Sequence, residues 1–181
     1  MKVAIFTGSP RKNGNTASLA RLLAKELEPL NIETKIYDLY QHQIDPCSDC
    51  RMCKENNELE CIRQDGMSQL YQPMEEADVL IFGTPIYWFS PSAQTKLLID
   101  RFRPYFVNKK LYGKKGALLL PAGSGPMDCD LTIEQFKRIF KALGFTYLDA
   151  VTATAYNEGD VDEDSHIHMV IRDLAQLIST N

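Results

Sequence analysis

Four cysteines, Cys47, Cys50, Cys53 and Cys61, fall within fifteen consecutive residues, while the fifth, Cys129, stands apart. Thiolates at i, i+3 and i+6 in an irregular loop can converge on one centre, and a fourth from a short excursion closes the set. The spacing suits a 4Fe–4S cluster better than zinc, because structural zinc sites more often pair two cysteines with two distant ligands. A disulfide framework usually spreads its cysteines through a small secreted domain, so this clustering favours metal or redox chemistry. Against a cluster, the interval Lys54 to Glu60 is polar, and Asp49, Glu55, Glu58 and Glu60 add negative charge. A loop of free thiols packed over a neighbouring site therefore stays open. Cys129 reads as a partly buried free thiol.

Three other segments carry binding chemistry. Gly8-Ser9-Pro10-Arg11-Lys12-Asn13-Gly14-Asn15-Thr16 joins an apolar run to a helical pattern, and the free N–H groups of a helix N-terminus favour an anion there. The loop lacks the Lys-Ser/Thr of a nucleoside triphosphate loop and the spacing of a dinucleotide fingerprint. It offers instead the hydroxyls of Ser9 and Thr16, the Asn15 amide and the Arg11 charge, enough for one terminal phosphate monoester. The plainer alternative is a turn in which Asn15 or Thr16 caps the helix. Thr84-Pro85-Ile86-Tyr87-Trp88-Phe89-Ser90 brings three consecutive aromatics to a strand end, a surface for a planar ring or, just as commonly, core or subunit interface. Pro121-Ala122-Gly123-Ser124-Gly125-Pro126 is a small-residue turn that admits close approach by a ligand. A phosphate end, a planar middle and a backbone-lined edge together outline flavin mononucleotide (FMN).

The elements that must position these loops alternate strand-length apolar runs with helical periods. Strands are expected at Lys2 to Thr7, Glu33 to Leu39, Asp78 to Gly83, Gly116 to Pro121 and Phe145 to Ala155. Helices are expected at Asn15 to Glu28 (closed by Pro29), Met67 to Ala77, Ser92 to Phe102, Leu131 to Leu143 (ended by Gly144) and Ser165 to Ile178, with the cysteine segment as loop. Five strands separated by helices imply a doubly wound parallel α/β sheet with helices on both faces. The ligand then sits outside the carboxyl ends of the strands, where all three binding loops fall.

Composition agrees with one compact domain: 181 residues, 44% apolar and 24% charged, with a formal charge of −4 that argues against nucleic acid. The longest uncharged stretch, Val79 to Thr95, is interrupted by Gly83, Pro85, Ser90, Pro91 and Gln94, so no membrane span is expected. Met1-Lys2 leads directly into an apolar strand without a secretory h-region, and a cytoplasmic protein is expected.

Gly8-Ser9-Pro10-Arg11 with Gly14-Asn15-Thr16, Ala77-Asp78 with Gly83-Thr84-Pro85-Ile86-Tyr87-Trp88, and Lys96-Leu97 with Asp100-Arg101-Phe102 resemble the flavodoxin-like NAD(P)H-dependent FMN reductase family over nearly the whole chain. The cysteine motif makes it most similar to the iron–sulfur flavoproteins of that family. The resemblance implies a five-stranded sheet in the order 2-1-3-4-5, one FMN-binding domain over residues 1–181 and a cysteine-rich loop at 45–62. It implies that Ser9, Arg11, Asn15 and Thr16 hold the FMN phosphate and that Pro85, Ile86, Tyr87 and Trp88 line the isoalloxazine. Ala122, Gly123 and Ser124 would approach the pyrimidine side, although many relatives carry Cys-Gly-Gly there. Cys47, Cys50, Cys53 and Cys61 would ligate the cluster. The family implies a homodimer or homotetramer, with a neighbouring subunit completing the pocket.

Other features carry less. His166 and His168 diverge on a helix and His42 is distant, so no metal set is expected. Asp160, Asp162 and Asp164 resemble the opening of a calcium loop but lack its Gly and Glu, so Asp164 or Ser165 is expected as a helix cap. Arg101, Arg103, Lys109, Lys110, Lys114 and Lys115 form an acid-free basic stretch, ordinarily a solvated face, that could also meet the extra phosphate of NADPH or a redox partner. The expected activity is electron transfer from NAD(P)H through FMN to a quinone or other small acceptor, with no protein acid or base. The alternative is an electron carrier whose cluster accepts electrons from a ferredoxin-like donor. A binding module with a vestigial flavin site and a zinc loop is a third reading.

Overall fold

The computed structural model describes residues 1–55 and 61–180. Glu58 and Glu60, part of the acidic interval expected beside the cysteines, lie outside them. Five parallel strands, β1 (Lys2–Thr7), β2 (Glu33–Asp38), β3 (Val79–Gly83), β6 (Lys115–Ala122) and β7 (Thr146–Thr154), form one sheet in the order β2-β1-β3-β6-β7. Counting only these strands, that is the order 2-1-3-4-5, the flavodoxin-like doubly wound arrangement. All five β3 residues are buried because helices cover both faces.

On one face Val3, Ile5, Val79 and Ile81 meet α1 (Asn15–Leu27) and α6 (Ser165–Thr180). On the other, Phe6, Leu80 and Phe82 meet α2 (Ser68–Glu76), α3 (Ala93–Asp100), α4 (Arg103–Asn108) and α5 (Asp130–Leu143). Gly144 ends α5 in the left-handed conformation, as a C-terminal glycine does. Among the described residues no helix is long and apolar enough to cross a membrane.

Several local expectations change. The aromatic loop is a small antiparallel hairpin, β4 (Ile86–Tyr87) and β5 (Ser90–Pro91), with Trp88 and Phe89 at its tip. Pro91 belongs to this hairpin, and Ser92 caps α3 by accepting from the Thr95 N–H. A separate helix, α4, occupies the start of the basic stretch. That stretch is not uniformly a solvated face: the Arg101 side chain is 1% exposed, paired with Asp65, and Lys114 Nζ donates to the carbonyl of Glu75, near the end of α2. Cys129 is fully buried, and burial, followed by the nearby Asp128 and Asp130, pushes its thiol up to about 11. Asp164 caps α6, accepting from the N–H groups of His166 and Ile167.

Candidate functional site

The chain leaves β1 toward β2 on one side and returns to β3 on the other, so the loops after β1 and β3 part at the carboxyl edge. A cleft of about 450 Å³ opens there, within the range of small-ligand pockets. Ser9, Arg11, Gly14, Asn15 and Thr16 form one end, Pro85, Ile86 and Tyr87 one wall, and Pro121 and Gly123 the other. Ala122 is buried beneath the third loop, Ser124 faces solvent, and Trp88, 92% exposed, does not line the cleft.

The expected anion end is built as a helix N-terminus. Gly14 is the N-cap of α1, and no side chain caps it, so the turn with Asn15 or Thr16 as cap does not form. Its first-turn N–H groups and the dipole face the cleft end where Ser9 and Arg11 stand. The Ser9 hydroxyl accepts from the Arg11 N–H. The Asn15 amide is used as a brace: Nδ2 donates to the Asn157 carbonyl at 2.7 Å, and Oδ1 accepts from the Val161 N–H at 3.4 Å.

That brace places a fourth loop in the wall. Ala155, Tyr156, Asn157 and Glu158, after β7, line the cleft and escaped the sequence reading. Asp160 shapes this loop by accepting from the N–H groups of Tyr156 and Asn157. The usable signal was its position: a turn-rich Asn157-Glu158-Gly159 segment following the last strand of a doubly wound sheet.

Buried hydroxyls lock the loops after β1 and β3 together. The Ser92 N–H donates to Thr84 Oγ1 at 3.0 Å, and Ser92 Oγ donates to the Gly8 carbonyl. Thr95 Oγ1 lies 3.1 Å from Ser92 Oγ, and a Cβ on Gly8 would stand only 1.9 Å from Thr95 Oγ1.

Residues 1–159 match the model of the family described as NADPH-dependent FMN reductase. The chain belongs to the NADPH-dependent FMN reductase family. It is an FMN-dependent oxidoreductase with a flavodoxin-like fold. It is 36% identical over 140 residues to an iron–sulfur flavoprotein of Methanocaldococcus jannaschii, covering 77% of this chain and 72% of the relative. It is 31% identical over 172 residues to a Bacillus subtilis protein named as a putative NAD(P)H-dependent FMN-containing oxidoreductase, covering 91% of each. The crystal structure of RosB with a bound formylated riboflavin phosphate superposes with a TM-score of 0.78, covering 99% of this chain and 78% of that one. Its 18% identity speaks for the fold alone.

This family member has a second concavity, at the C-terminal end of α3. Cys47, Cys50, Cys53 and Cys61 share a narrow pocket with Arg51, Arg63, Arg101 and Arg103. Asp49 and Arg51, either side of Cys50, are both left-handed, which bends the loop sharply at Cys50. Burial first, then the neighbouring Cys61, push the Cys53 thiol up. All five cysteines are free, and among the described residues no three ligating side chains gather closely enough for a metal ion. The pocket also contains orphaned donors: Arg63 Nε and Arg101 Nε are buried without an acceptor. Four thiols beside unpartnered N–H donors match, in residue type, the donors that an anionic sulfur-containing centre takes.

Proposed function

We propose that the cleft holds FMN with its phosphate at the residue 9–16 end and its ring system against Ile86, Tyr87 and Gly123, and that NAD(P)H is the electron donor. The supporting observation is the single cleft shared by an uncapped helix N-terminus, the base of an aromatic hairpin and a glycine edge. Bound there, FMN supplies hydride acceptance and onward electron transfer to a quinone or other small acceptor. Arg11 and the α1 N–H groups neutralise the phosphate dianion; Ser9 and Thr16 donate to its oxygens. Asn15 holds the Asn157 loop in place as the far wall. Pro85, Ile86 and Tyr87 keep water from one side of the ring.

Trp88, Phe89 and Tyr87, 92%, 52% and 45% exposed, form an apolar hairpin tip that a second copy of the chain would cover in a homodimer or homotetramer. Trp88 then reaches a neighbouring cleft and shapes its acceptor side. Five unpaired thiols suit a reducing, cytoplasmic setting.

A second reading concerns the cysteine pocket. There Cys47, Cys50, Cys53 and Cys61 would hold a 4Fe–4S cluster, which would supply single-electron chemistry between a ferredoxin-like donor and FMN. It is favoured by the shared pocket, the orphaned arginine donors and the iron–sulfur relatives.

The test is anaerobic purification followed by absorption spectroscopy, iron analysis, and titration with NADH and NADPH. One FMN per chain, bleached rapidly by nicotinamide, supports the reductase reading. About four irons per chain with slow nicotinamide reduction favours the carrier. Absence of flavin binding rejects both. Arg11→Ala should weaken FMN binding while leaving riboflavin, which lacks the phosphate, unaffected.

A further inference from the structure

The cysteine loop hangs from a braced neck. Asp65 Oδ2 accepts from the Asp45 N–H at 3.0 Å and from Arg101 Nη1, while Oδ1 accepts from the Met67 N–H and Arg101 Nη2. Arg101 Nη1 also donates to the Asp45 carbonyl at 2.9 Å. The Gly66 N–H donates to the Gln43 carbonyl, and a Cβ on Gly66 would lie 2.6 Å from the Gln43 nitrogen, so the two ends of the loop touch backbone to backbone. One guanidinium therefore joins residue 45, just before Cys47, to residue 65, just after Cys61.

That role uses both Nη atoms and leaves Nε over. The side chain is 1% exposed, and Nε makes no hydrogen bond among the described residues, although the Tyr71 hydroxyl also lies against the guanidinium. An unmet buried donor is destabilising, and a buried ion pair by itself gives little net stability. Cys61 acts on the same guanidinium from within the cysteine pocket, which gives Nε a candidate acceptor there. Arg63 repeats the pattern: Nη2 donates to Asp45 Oδ2 at 2.9 Å, and Nε is buried without a partner in the wall of the same pocket. Sulfurs of a four-thiolate centre are acceptors and carry the negative charge that the buried Arg101 and the half-exposed Arg63 complement.

We infer that Arg101 is the positioning residue of the cysteine site: its fork closes the neck of the loop, and its Nε–H is held for a sulfur of the centre that the cysteines bind, with Arg63 as a second donor. This rests on the cluster reading of the pocket. The two stand apart in the experiment, because the wild-type chain tests the reading and the variants test the inference.

The full chain, reconstituted anaerobically with iron and sulfide, is compared with Arg101→Lys and Arg63→Lys, each keeping the charge but losing Nε and the planar fork. FMN stoichiometry and the thermal midpoint report whether each variant is folded. Three further quantities are read: iron per chain, the rate of iron loss to a chelator, and the cluster midpoint potential from a redox titration followed by electron paramagnetic resonance. Wild type should hold about four irons per chain. Arg101→Lys should lose iron about 10- to 100-fold faster, the usual effect of removing a partner behind a metal ligand. Arg63→Lys, half-exposed and tied to the neck only through the Asp45 carboxylate, should fold and show a more negative midpoint, because a hydrogen bond to sulfur stabilises the reduced centre. Folded variants with unchanged iron loss and unchanged midpoint would overturn the inference. Should Arg101→Lys fail to fold, the Arg63→Lys midpoint decides. Wild type that takes up no iron removes the cluster reading and this inference with it.

Discussion

The hydroxyl of Ser92 donates to the main-chain carbonyl of Gly8, 84 positions away in the sequence. Through that bond the N-terminus of α3 is fixed to the loop after β1, and the aromatic hairpin just before Ser92 is fixed with it. Hydroxyls behind the cleft, and not only residues that line it, therefore fix the spacing between its two ends.

Ser92→Ala removes this donor, the α3 cap and the partner of Thr95. An unmet buried carbonyl costs about 1–3 kcal/mol. The unfolding free energy from urea titration should fall by that amount and FMN should bind more weakly, although Ser92 does not line the cleft. Gly8→Ala should act similarly, since its methyl would meet Thr95 Oγ1 at 1.9 Å. Adding Thr95→Ala to Gly8→Ala should restore part of the FMN affinity. If the double variant binds no better than Gly8→Ala alone, the hydroxyl cluster does not set the cleft.

The hairpin carries a different kind of cost. Trp88 and Phe89, at φ 51° and 62°, occupy a left-handed region that bulky side chains rarely adopt, in a two-residue turn that ordinarily selects Asn-Gly. Each such residue costs on the order of 1 kcal/mol. The double substitution Trp88→Asn/Phe89→Gly should raise thermal stability while lowering turnover with a small acceptor and weakening self-association. Stability, sedimentation and steady-state rates on one preparation check all three. A more stable variant with unaltered turnover and oligomeric state would show that the aromatics serve neither purpose.

The same hairpin shows where the sequence was readable and where it was not. Val79-Leu80-Ile81-Phe82 is apolar at every position, so a strand covered on both faces follows directly, whereas the order of the five strands came from the family resemblance. Tyr87-Trp88-Phe89-Ser90 has no turn residue to announce a reversal, so only the folded chain reveals it. Ser9, Arg11 and Thr16 were visible because a glycine-bounded loop before a helix suits an anion. The wall at Tyr156 was not, because Asn15 holds it from 142 positions away. Arg101 looked like one more cation in a basic run; its burial depends on Asp65, 36 positions earlier, which nothing local predicts. The cysteine spacing was plain, whereas the donors around it come from Arg63 and α3–α4.

That ion pair also gives a pH dependence. Burial alone would raise the Asp65 carboxyl, but its bonds from Arg101 and from the N–H groups of Asp45 and Met67 outweigh burial and hold it below its ordinary value of 3.8. A carboxylate depressed in the folded state takes up its proton more readily when unfolded. Its contribution is therefore complete above the unfolded value and is lost as pH falls through the lower folded value. At neutral pH Asp65→Asn should cost about 3–5 kcal/mol, because it leaves the buried Arg101 charge unanswered. The gap between wild type and variant, measured as unfolding free energies in urea at a series of pH values, should stay constant from neutrality to about pH 5 and narrow below it. Carboxylates common to both proteins cancel in that difference. A gap that persists unchanged well below the ordinary carboxylate range would mean that the ionised state of Asp65 contributes nothing, and that the amide replacement fails for its shape alone.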